Sequence, residues 1–219
     1  MGADAGLEKR LAAEAAAALV EDGMAVGLGT GSTVTCFLEA IAKRSLDLRC
    51  VSTSSATEST ARALGLPVEP FEGPDALPHL DLAVDGADQV AADGWIVKGG
   101  GGAHTREKIV AAAAGRFVVI ASSDKLGERL APPVPLELLA FGLAATLSRL
   151  GHTRLRDTPP TPDGGVLADW LGPVGDPEAL AARLSATPGV VDHGLFPPDL
   201  VSEVILGRGD RVERIHYAG

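Results

Sequence analysis

The chain has 219 residues, of which 46% are hydrophobic, and its formal net charge is −10 at pH 7. This length and composition suit a globular protein built as one domain, or as one large and one smaller domain. An acidic balance without a block of lysine or arginine argues against nucleic acid or an anionic membrane surface as the main partner. Any anionic ligand must therefore be held by local groups.

The N-terminal segment is rich in alanine but is interrupted by charged residues between Asp4 and Glu14. It therefore lacks the apolar core of a signal peptide and the length of a membrane span. The two cysteines, Cys36 and Cys50, are well separated and belong to no cysteine and histidine cluster. We expect a cytoplasmic protein with free thiols and no metal site.

Helix and strand signals alternate over the first 125 residues. Apolar residues at helical spacing from Leu7 to Leu19 predict a first helix. Strands are then predicted at 24–28, 48–52, 67–71, 80–84, 95–97 and 117–121, with helices at 33–44, 57–64 and 105–114. This alternation predicts an open, mostly parallel α/β sheet covered on both faces. Ligands bind such sheets at the carboxyl ends of the strands.

The pattern changes beyond Pro132 and Pro133. Strands are predicted at 134–139, 154–156, 166–170 and 190–196, and helices at 141–150 and 177–184. This β-α-β-β-α-β order predicts a ferredoxin-like α+β domain, in which Asp176 caps the second helix. Two last strands, 200–206 and 211–217, should return to the first sheet. We predict a first domain of residues 1–130 and 204–219, and a second of residues 131–203.

A glycine-rich turn follows the first predicted strand, between Gly27 and Thr33. Amides, hydroxyls and a helix start at such a turn can bind a phosphate. Ser32 stands where the dinucleotide fingerprint has its third glycine, and no lysine follows as in the nucleotide P-loop. A small phosphorylated metabolite fits this turn better than NAD or ATP. The alternative is a tight turn that needs glycine only for its backbone.

A second motif, Asp85-Gly86-Ala87-Asp88, follows the predicted strand 80–84. Carboxylates spaced by three residues around a glycine can project into one cleft, where they bind sugar hydroxyls or move protons between oxygens. A plain turn or a helix cap is the alternative.

The third motif is a run of four glycines between Lys98 and a helix that carries Glu107. Glycine amides are unobstructed, so the run can approach an anionic ligand closely. Lys98 and Lys125 place positive charge at two strand ends, which suits a polyanionic or enolate-forming ligand. Glu107 is either an acid stabilised by the helix dipole or a general base beside Lys98. The helix N-terminus lowers the pKa of a carboxyl group, whereas a base benefits from a raised pKa. As a base, Glu107 would therefore need desolvation to raise its pKa again.

Together these motifs resemble ribose-5-phosphate isomerase of the A type. The resemblance runs nearly end to end and rests on GLGTGST at 27–33, DGAD at 85–88, KGGGGA followed by REKI at 98–109, and the Asp-Lys pair that ends at 125. It implies a Rossmann-like domain paired with a ferredoxin-like one. It also implies interconversion of ribose 5-phosphate and ribulose 5-phosphate, a step of the pentose phosphate pathway, without metal or organic cofactor, by a homodimer or homotetramer.

The resemblance implies a role for each motif residue. Glu107 would be the base that moves a proton between C1 and C2 through an enediolate, Lys98 would stabilise the oxyanion, and Asp85 would move protons between oxygens or open the sugar ring. The implied substrate-binding residues are Lys9, Thr30, Gly31, Ser32, Thr33, Asp85, Gly86, Ala87, Asp88, Lys98, Gly99, Gly100, Gly101 and Lys125.

Two positions depart from the family pattern. Gln89 replaces a usual Glu after DGAD, and His104 replaces a common Leu after the glycines. We expect both to tune the wall of the pocket without loss of activity. Two other functions are also considered: an amino-sugar-phosphate deaminase on a related fold, which would need its own acid and base set, and a sugar-phosphate sensor, which would not need Glu107.

Overall fold

A computed structural model of the chain describes residues 5–217. Residues 1–4 and 218–219, the two ends of the predicted first domain, lie outside the described residues. In chain order the helices are α1 (Ala5–Ala17), α2 (Ser32–Ala42), α3 (Ser55–Ala63), α4 (His104–Ala113), α5 (Leu143–Leu150) and α6 (Pro177–Ser185). The strands are β1 (Ala25–Leu28), β2 (Arg49–Ser52), β3 (Leu82–Gly86), β4 (Gln89–Ala91), β5 (Ile96–Val97), β6 (Phe117–Ser122), β7 (Leu126–Gly127), β8 (Val134–Leu138), β9 (Thr153–Leu155), β10 (Val166–Trp170), β11 (Val190–His193), β12 (Leu195–Phe196), β13 (Glu203–Arg208) and β14 (Arg211–Ile215).

The chain divides into two compact units. The first takes the described residues of Met1–Ala87, Arg106–Leu126 and Pro198–Gly219, and the second takes Asp88–Thr105 and Gly127–Pro197. Residues 88–105, which the sequence analysis assigned to the first domain, pack with the second unit. The reason is that β4 and β5 pair with each other and β5 pairs with β12. The predicted domain boundaries stay a prediction.

The first unit is built on a six-stranded sheet in the order β14-β13-β6-β3-β1-β2. Neighbours from β13 to β2 run parallel, and β14 is antiparallel at one edge. The predicted mostly parallel sheet and the return of the last hairpin to it are both confirmed. The small side chains of Ala12, Ala13 and Ala16 on α1 are fully buried in the core beside Val26 and Phe37, so this helix packs closely.

The second unit contains an antiparallel sheet in the order β11-β8-β10-β9. With α5 and α6 it forms the predicted β-α-β-β-α-β arrangement of a ferredoxin-like fold. The predicted helix cap is confirmed, because the Asp176 side chain accepts hydrogen bonds from the amides of Glu178 and Ala179. A smaller sheet has the order β12-β5-β4-β7.

Two strand predictions were wrong in part. The segment 67–71 forms only a single bridge between Val68 and Cys50, because Pro67 and Pro70 on either side have no amide to donate. The predicted strand 190–196 is interrupted at Gly194, where a Cβ would lie 2.1 Å from the Lys98 carbonyl oxygen. The two halves, β11 and β12, belong to different sheets.

A buried carboxylate fastens α1 to two turns of the first unit. Glu8 is 1% exposed and accepts hydrogen bonds from the Gly209 amide at 2.7 Å, the Ser123 amide at 2.8 Å and the Ser123 hydroxyl at 2.8 Å. The bond from Gly209, assisted by those from Ser123, outweighs burial and lowers the pKa of Glu8 below its usual 4.5. The charged carboxylate therefore stabilises this fold at neutral pH.

We expect Glu8→Gln to lower the free energy of unfolding by about 1–3 kcal/mol at pH 7, because the Gln amide group turns a donor towards donors. The pKa of Glu8 is lower in the folded state than its usual 4.5. Its contribution to the free energy of unfolding is therefore complete above pH 4.5, and it is lost as the pH falls through the pKa of the folded state. The difference between the variant and the wild type should therefore shrink below pH 4.5. Urea unfolding over a pH series measures it. Glu14→Gln, at an exposed position of the same helix, is the control, and an equal loss in both variants would contradict the assignment.

Candidate active site

The glycine-rich turn after β1 is shaped by its contact with Asp85. A Cβ at Gly29 would lie 2.0 Å from the Asp85 carboxyl carbon, so only glycine fits there. The Thr30 amide donates to Asp85 Oδ1 at 3.0 Å, and Gly31 has a φ of +123°, which favours glycine. The contact with Asp85 explains Gly29 and the backbone conformation explains Gly31, while Gly31 and Ser32 are exposed at the start of α2.

A cation lies at the N-terminus of α2. Lys9 Nζ donates to Ser32 Oγ at 3.0 Å, and Ser32 is the first residue of the helix. The free amides of a first helical turn and a nearby ammonium group both attract an anion. Thr33, the next predicted residue, is 9% exposed.

Three hydroxyl residues that the sequence analysis did not select surround Thr30. Its Oγ1 lies 2.8 Å from Thr53 Oγ1 and donates to Ser54 Oγ at 2.9 Å, while Thr57 Oγ1 donates to the Gly29 carbonyl at 2.7 Å. They follow β2, the strand beside β1 in the sheet. The run Ser52-Thr53-Ser54-Ser55 at the carboxyl end of a predicted parallel strand was the signal that could have found them.

Asp85, the next-to-last residue of β3, is a buried carboxylate, 2% exposed. Its Oδ1 accepts the amide hydrogens of Thr30 at 3.0 Å and of Gly86 at 2.7 Å. These bonds hold the Asp-Gly turn against the turn after β1. Ala87, the next residue, is half-buried.

Lys125 belongs to a short 3-10 turn, Ser123–Lys125, that follows β6. Its Nζ lies 3.6 Å from Asp124 Oδ2, and the lysine side chain is 35% exposed. A contact of Lys125 with the ligand stays a prediction.

In the second unit, Asp88 holds the glycine run that follows Lys98. Its Oδ2 accepts the Gly100 amide hydrogen at 2.7 Å, and the Gly102 amide closes a turn on the Gly99 carbonyl at 3.0 Å. The fully buried ring of His104 fills the space beside Gly99, whose Cβ would lie 2.6 Å from His104 Nδ1. His104 therefore supports the glycine turn.

Lys98 is a buried amine at the end of β5, 2% exposed. Its Nζ lies 5.6 Å from the centre of the Phe196 ring, a cation–π distance. Its amide donates to the Gly194 carbonyl at 2.9 Å, which fixes the start of the glycine run.

Glu107 lies in the first turn of α4 and is 4% exposed. A helix dipole stabilises an acid at this position without burying it, so the dipole alone does not account for the burial. Glu107 and Lys98 are thus two buried ionisable groups at the two ends of one glycine-rich segment.

Both cysteines are free thiols. Burial raises the pKa of Cys50 to about 12 and raises that of Cys36, so both thiols are protonated at neutral pH. Among residues 5–217, no group of three or more His, Cys, Asp or Glu side chains is arranged to hold a metal ion.

Within each unit, the structure brings a set of predicted residues into contact. In the first unit Lys9 contacts Ser32, and Thr30 contacts Asp85. In the second unit Asp88 contacts Gly100. The turns after β1, β3 and β6 lie at the carboxyl ends of parallel strands, as predicted.

Known proteins resemble this chain along nearly its whole length. A family model described as ribose 5-phosphate isomerase A (phosphoriboisomerase A) matches residues 49–211. A ribose-5-phosphate isomerase A of Roseiflexus sp. is 44% identical over 230 residues, 97% of each chain. The crystal structure of ribose 5 phosphate isomerase A from Neisseria gonorrhoeae matches with a TM-score of 0.89 at 32% identity over 96% of each chain.

A further solved D-ribose-5-phosphate isomerase, in complex with phospho-erythronic acid, matches with a TM-score of 0.88 at 31% identity, over 99% of this chain and all of the other. Identity of 44% across nearly the whole chain, a family model over most of it and the same fold all agree. The chain therefore belongs to the ribose-5-phosphate isomerase A family.

Proposed function

We propose that the chain interconverts D-ribose 5-phosphate and D-ribulose 5-phosphate, with Glu107 as the general base. The observation that carries the proposal is the burial of an acid and an amine at the two ends of one glycine-rich segment. Glu107 is 4% exposed and Lys98 is 2% exposed. Ionisable groups are rarely so deeply buried unless they are paired or carry out a chemical task, and a site for an enediolate needs both a base and a cation.

The reaction moves one proton between carbons and one between oxygens. The Glu107 carboxylate takes the proton from C2 of the open-chain aldose, which gives an enediolate, and returns it to C1. The O2 hydroxyl proton moves to O1, and we assign this transfer, or the opening of the sugar ring, to Asp85. Each step uses groups of this chain alone.

Lys98 and glycine amides stabilise the negative charge that develops on oxygen. Hydrogen-bond donors that are held in place before the reaction stabilise this charge better than water does, because they need not reorient during the reaction. The Gly100 amide already donates to Asp88. Among residues 5–217, the amides of Gly99 and Gly101 donate to no protein group, which leaves them for the oxyanion.

We assign the phosphate to the start of α2. Lys9, Ser32 and the first-turn amides offer a cation, a hydroxyl and the positive end of a helix dipole. We also assign to the phosphate site Thr30, Gly31 and Thr33. Lys125 provides a further cation. Gly86, Ala87 and Asp88 are assigned to the sugar hydroxyls.

We further infer a homodimer or homotetramer in the cytoplasm. No helix among the described residues is long and apolar enough to cross a membrane. Phe141, just before α5, is 93% exposed and Leu139 is 52% exposed, which supports an apolar contact between copies near this helix. Light scattering gives the number of subunits.

We expect Glu107→Gln to lower kcat by about 10²–10⁴-fold, because a positioned general base contributes that much and Gln cannot take a proton. The conversion of ribose 5-phosphate is measured with chelator-treated protein, and calorimetry shows whether the variant still binds the substrate. Glu39→Gln, at an exposed position on α2, should leave kcat unchanged. A Glu107 variant with more than about a tenth of the wild-type kcat would exclude the base assignment. Wild-type protein that binds the sugar phosphate without converting it would be a sensor.

We expect Lys9→Met to weaken the binding of phospho-erythronic acid about tenfold, since it removes one charge-assisted contact to the phosphate. The affinity for erythronic acid, which has no phosphate, should not change. Calorimetry with both ligands measures the two affinities. An equal loss for both ligands would show that Lys9 acts elsewhere than on the phosphate.

A further inference from the structure

Arg156 joins β10 to the glycine run within the second unit. The residue follows β9 directly, and its side chain is 16% exposed. Its Nε and Nη2 donate to Asp169 Oδ1 at 3.1 Å and 2.7 Å. The Asp169 side chain on β10 is itself only 9% exposed. The guanidinium group is therefore held in one orientation by a largely buried ion pair.

The remaining nitrogen of this guanidinium contacts the glycine run. Arg156 Nη1 donates to the Gly99 carbonyl at 2.9 Å and to the Gly100 carbonyl at 3.2 Å. One rigid group thus binds two successive carbonyl oxygens of a segment that has no side chains of its own. Glycine has the largest conformational freedom of any residue, so this contact restricts the segment strongly.

A fixed carbonyl also fixes the amide of the next residue. The peptide group is planar and trans, so its N–H points opposite to its C=O. The Gly99 carbonyl faces Arg156, and accordingly the Gly100 amide donates to Asp88 at 2.7 Å. The Gly100 carbonyl faces Arg156 as well, so the Gly101 amide points away from the guanidinium. That amide donates to no group within residues 5–217.

We propose that Arg156 is a positioning residue for the isomerisation, acting through the Gly99–Gly101 backbone. Its ion pair with Asp169 and its bonds to two carbonyls aim the Gly101 amide, and the Gly100 amide is already bound by Asp88. This proposal rests on the proposed function, in which amides of the run stabilise the enediolate. Donors of this kind act well only when their direction is fixed before the reaction.

The chain contains a matched control for this role. Arg154, two residues earlier, pairs with the same aspartate, with Nη2 at 3.9 Å from Asp169 Oδ2, but its side chain is 68% exposed. No hydrogen bond joins Arg154 to the glycine run within the described part of the chain. A variant at Arg154 therefore removes a cation near Asp169 without removing the contact with Gly99 and Gly100.

The test compares Arg156→Ala, Arg156→Lys and Arg154→Ala in the full chain. We expect Arg156→Ala to lower kcat about 10- to 100-fold, the usual effect of a small misplacement of catalytic groups, with KM within about threefold of wild type. Arg156→Lys should fall between this variant and wild type, since a lysine keeps the charge but lacks the planar fork that binds both partners. Arg154→Ala should match wild type.

Guanidinium chloride at millimolar concentration should restore part of the kcat of Arg156→Ala, an effect that a merely structural role would not produce. A kcat of Arg156→Ala within about twofold of wild type would overturn the proposal. So would a loss of thermal stability that accounts for the lost activity without rescue. Should Arg156→Ala fail to fold, Arg156→Lys is decisive on the same criteria.

Backbone amide NMR separates this proposal from the proposed function. We expect the Gly100 and Gly101 amide resonances to shift and their hydrogen exchange to accelerate in Arg156→Ala but not in Arg154→Ala. Unchanged Gly100 and Gly101 resonances would overturn the role of Arg156 even in an active isomerase. If the Gly100 and Gly101 resonances change in Arg156→Ala but the wild-type protein does not interconvert the two sugars, the proposed function fails. The role of Arg156 in fixing the Gly99–Gly101 backbone then stands without it.

Discussion

The buried carboxylate of Asp85 is the constraint on which the glycine-rich turn of the first unit depends. A charge at 2% exposure is tolerated only when hydrogen bonds satisfy it. Asp85 meets this condition with the amides of Thr30 and Gly86. The turn after β1 must therefore approach β3 closely, and Gly29 is required because any side chain there would occupy the carboxylate's position. The direction of α2, and hence the place of Ser32 beside Lys9, follows from that approach.

At the other turns, too, a charged side chain forms hydrogen bonds with the backbone of the turn. Glu8 holds Ser123 and Gly209 in the first unit, and Asp88 and the Arg156–Asp169 pair hold the glycine run in the second. In each case an ionised side chain binds backbone groups of a turn that its own sequence leaves flexible. The alternatives for the DGAD segment, a plain turn or a site, are therefore not exclusive, because the bonds that build the turn also orient its carboxylates.

The sequence predicted the fold well where the pattern was local. Apolar runs such as 117–121 and the strand-turn-helix at 24–33 appear at their expected places, and the β-α-β-β-α-β order identified the ferredoxin-like sheet. The failures came from partners distant in the chain. Nothing local shows that Gly194 must approach Lys98, and so that β11 and β12 separate. Thr53 became relevant only once β2 lay beside β1, and Arg156 is 56 residues from Gly100.

The candidate site combines two requirements that conflict in a single peptide segment. The packing of the run needs glycine, because a Cβ at Gly99 would lie 2.6 Å from His104 Nδ1 and one at Gly100 would lie 2.8 Å from Asp88 Oδ1. Electrostatic stabilisation needs fixed donors, and glycine loses more conformational freedom on folding than any other residue. The run cannot resolve this conflict from its own sequence. Side chains outside the run therefore hold its backbone: the His104 ring, the Asp88 carboxylate and the Arg156 guanidinium. Asp88 and Arg156 both lie outside the glycine-rich motif that the sequence shows.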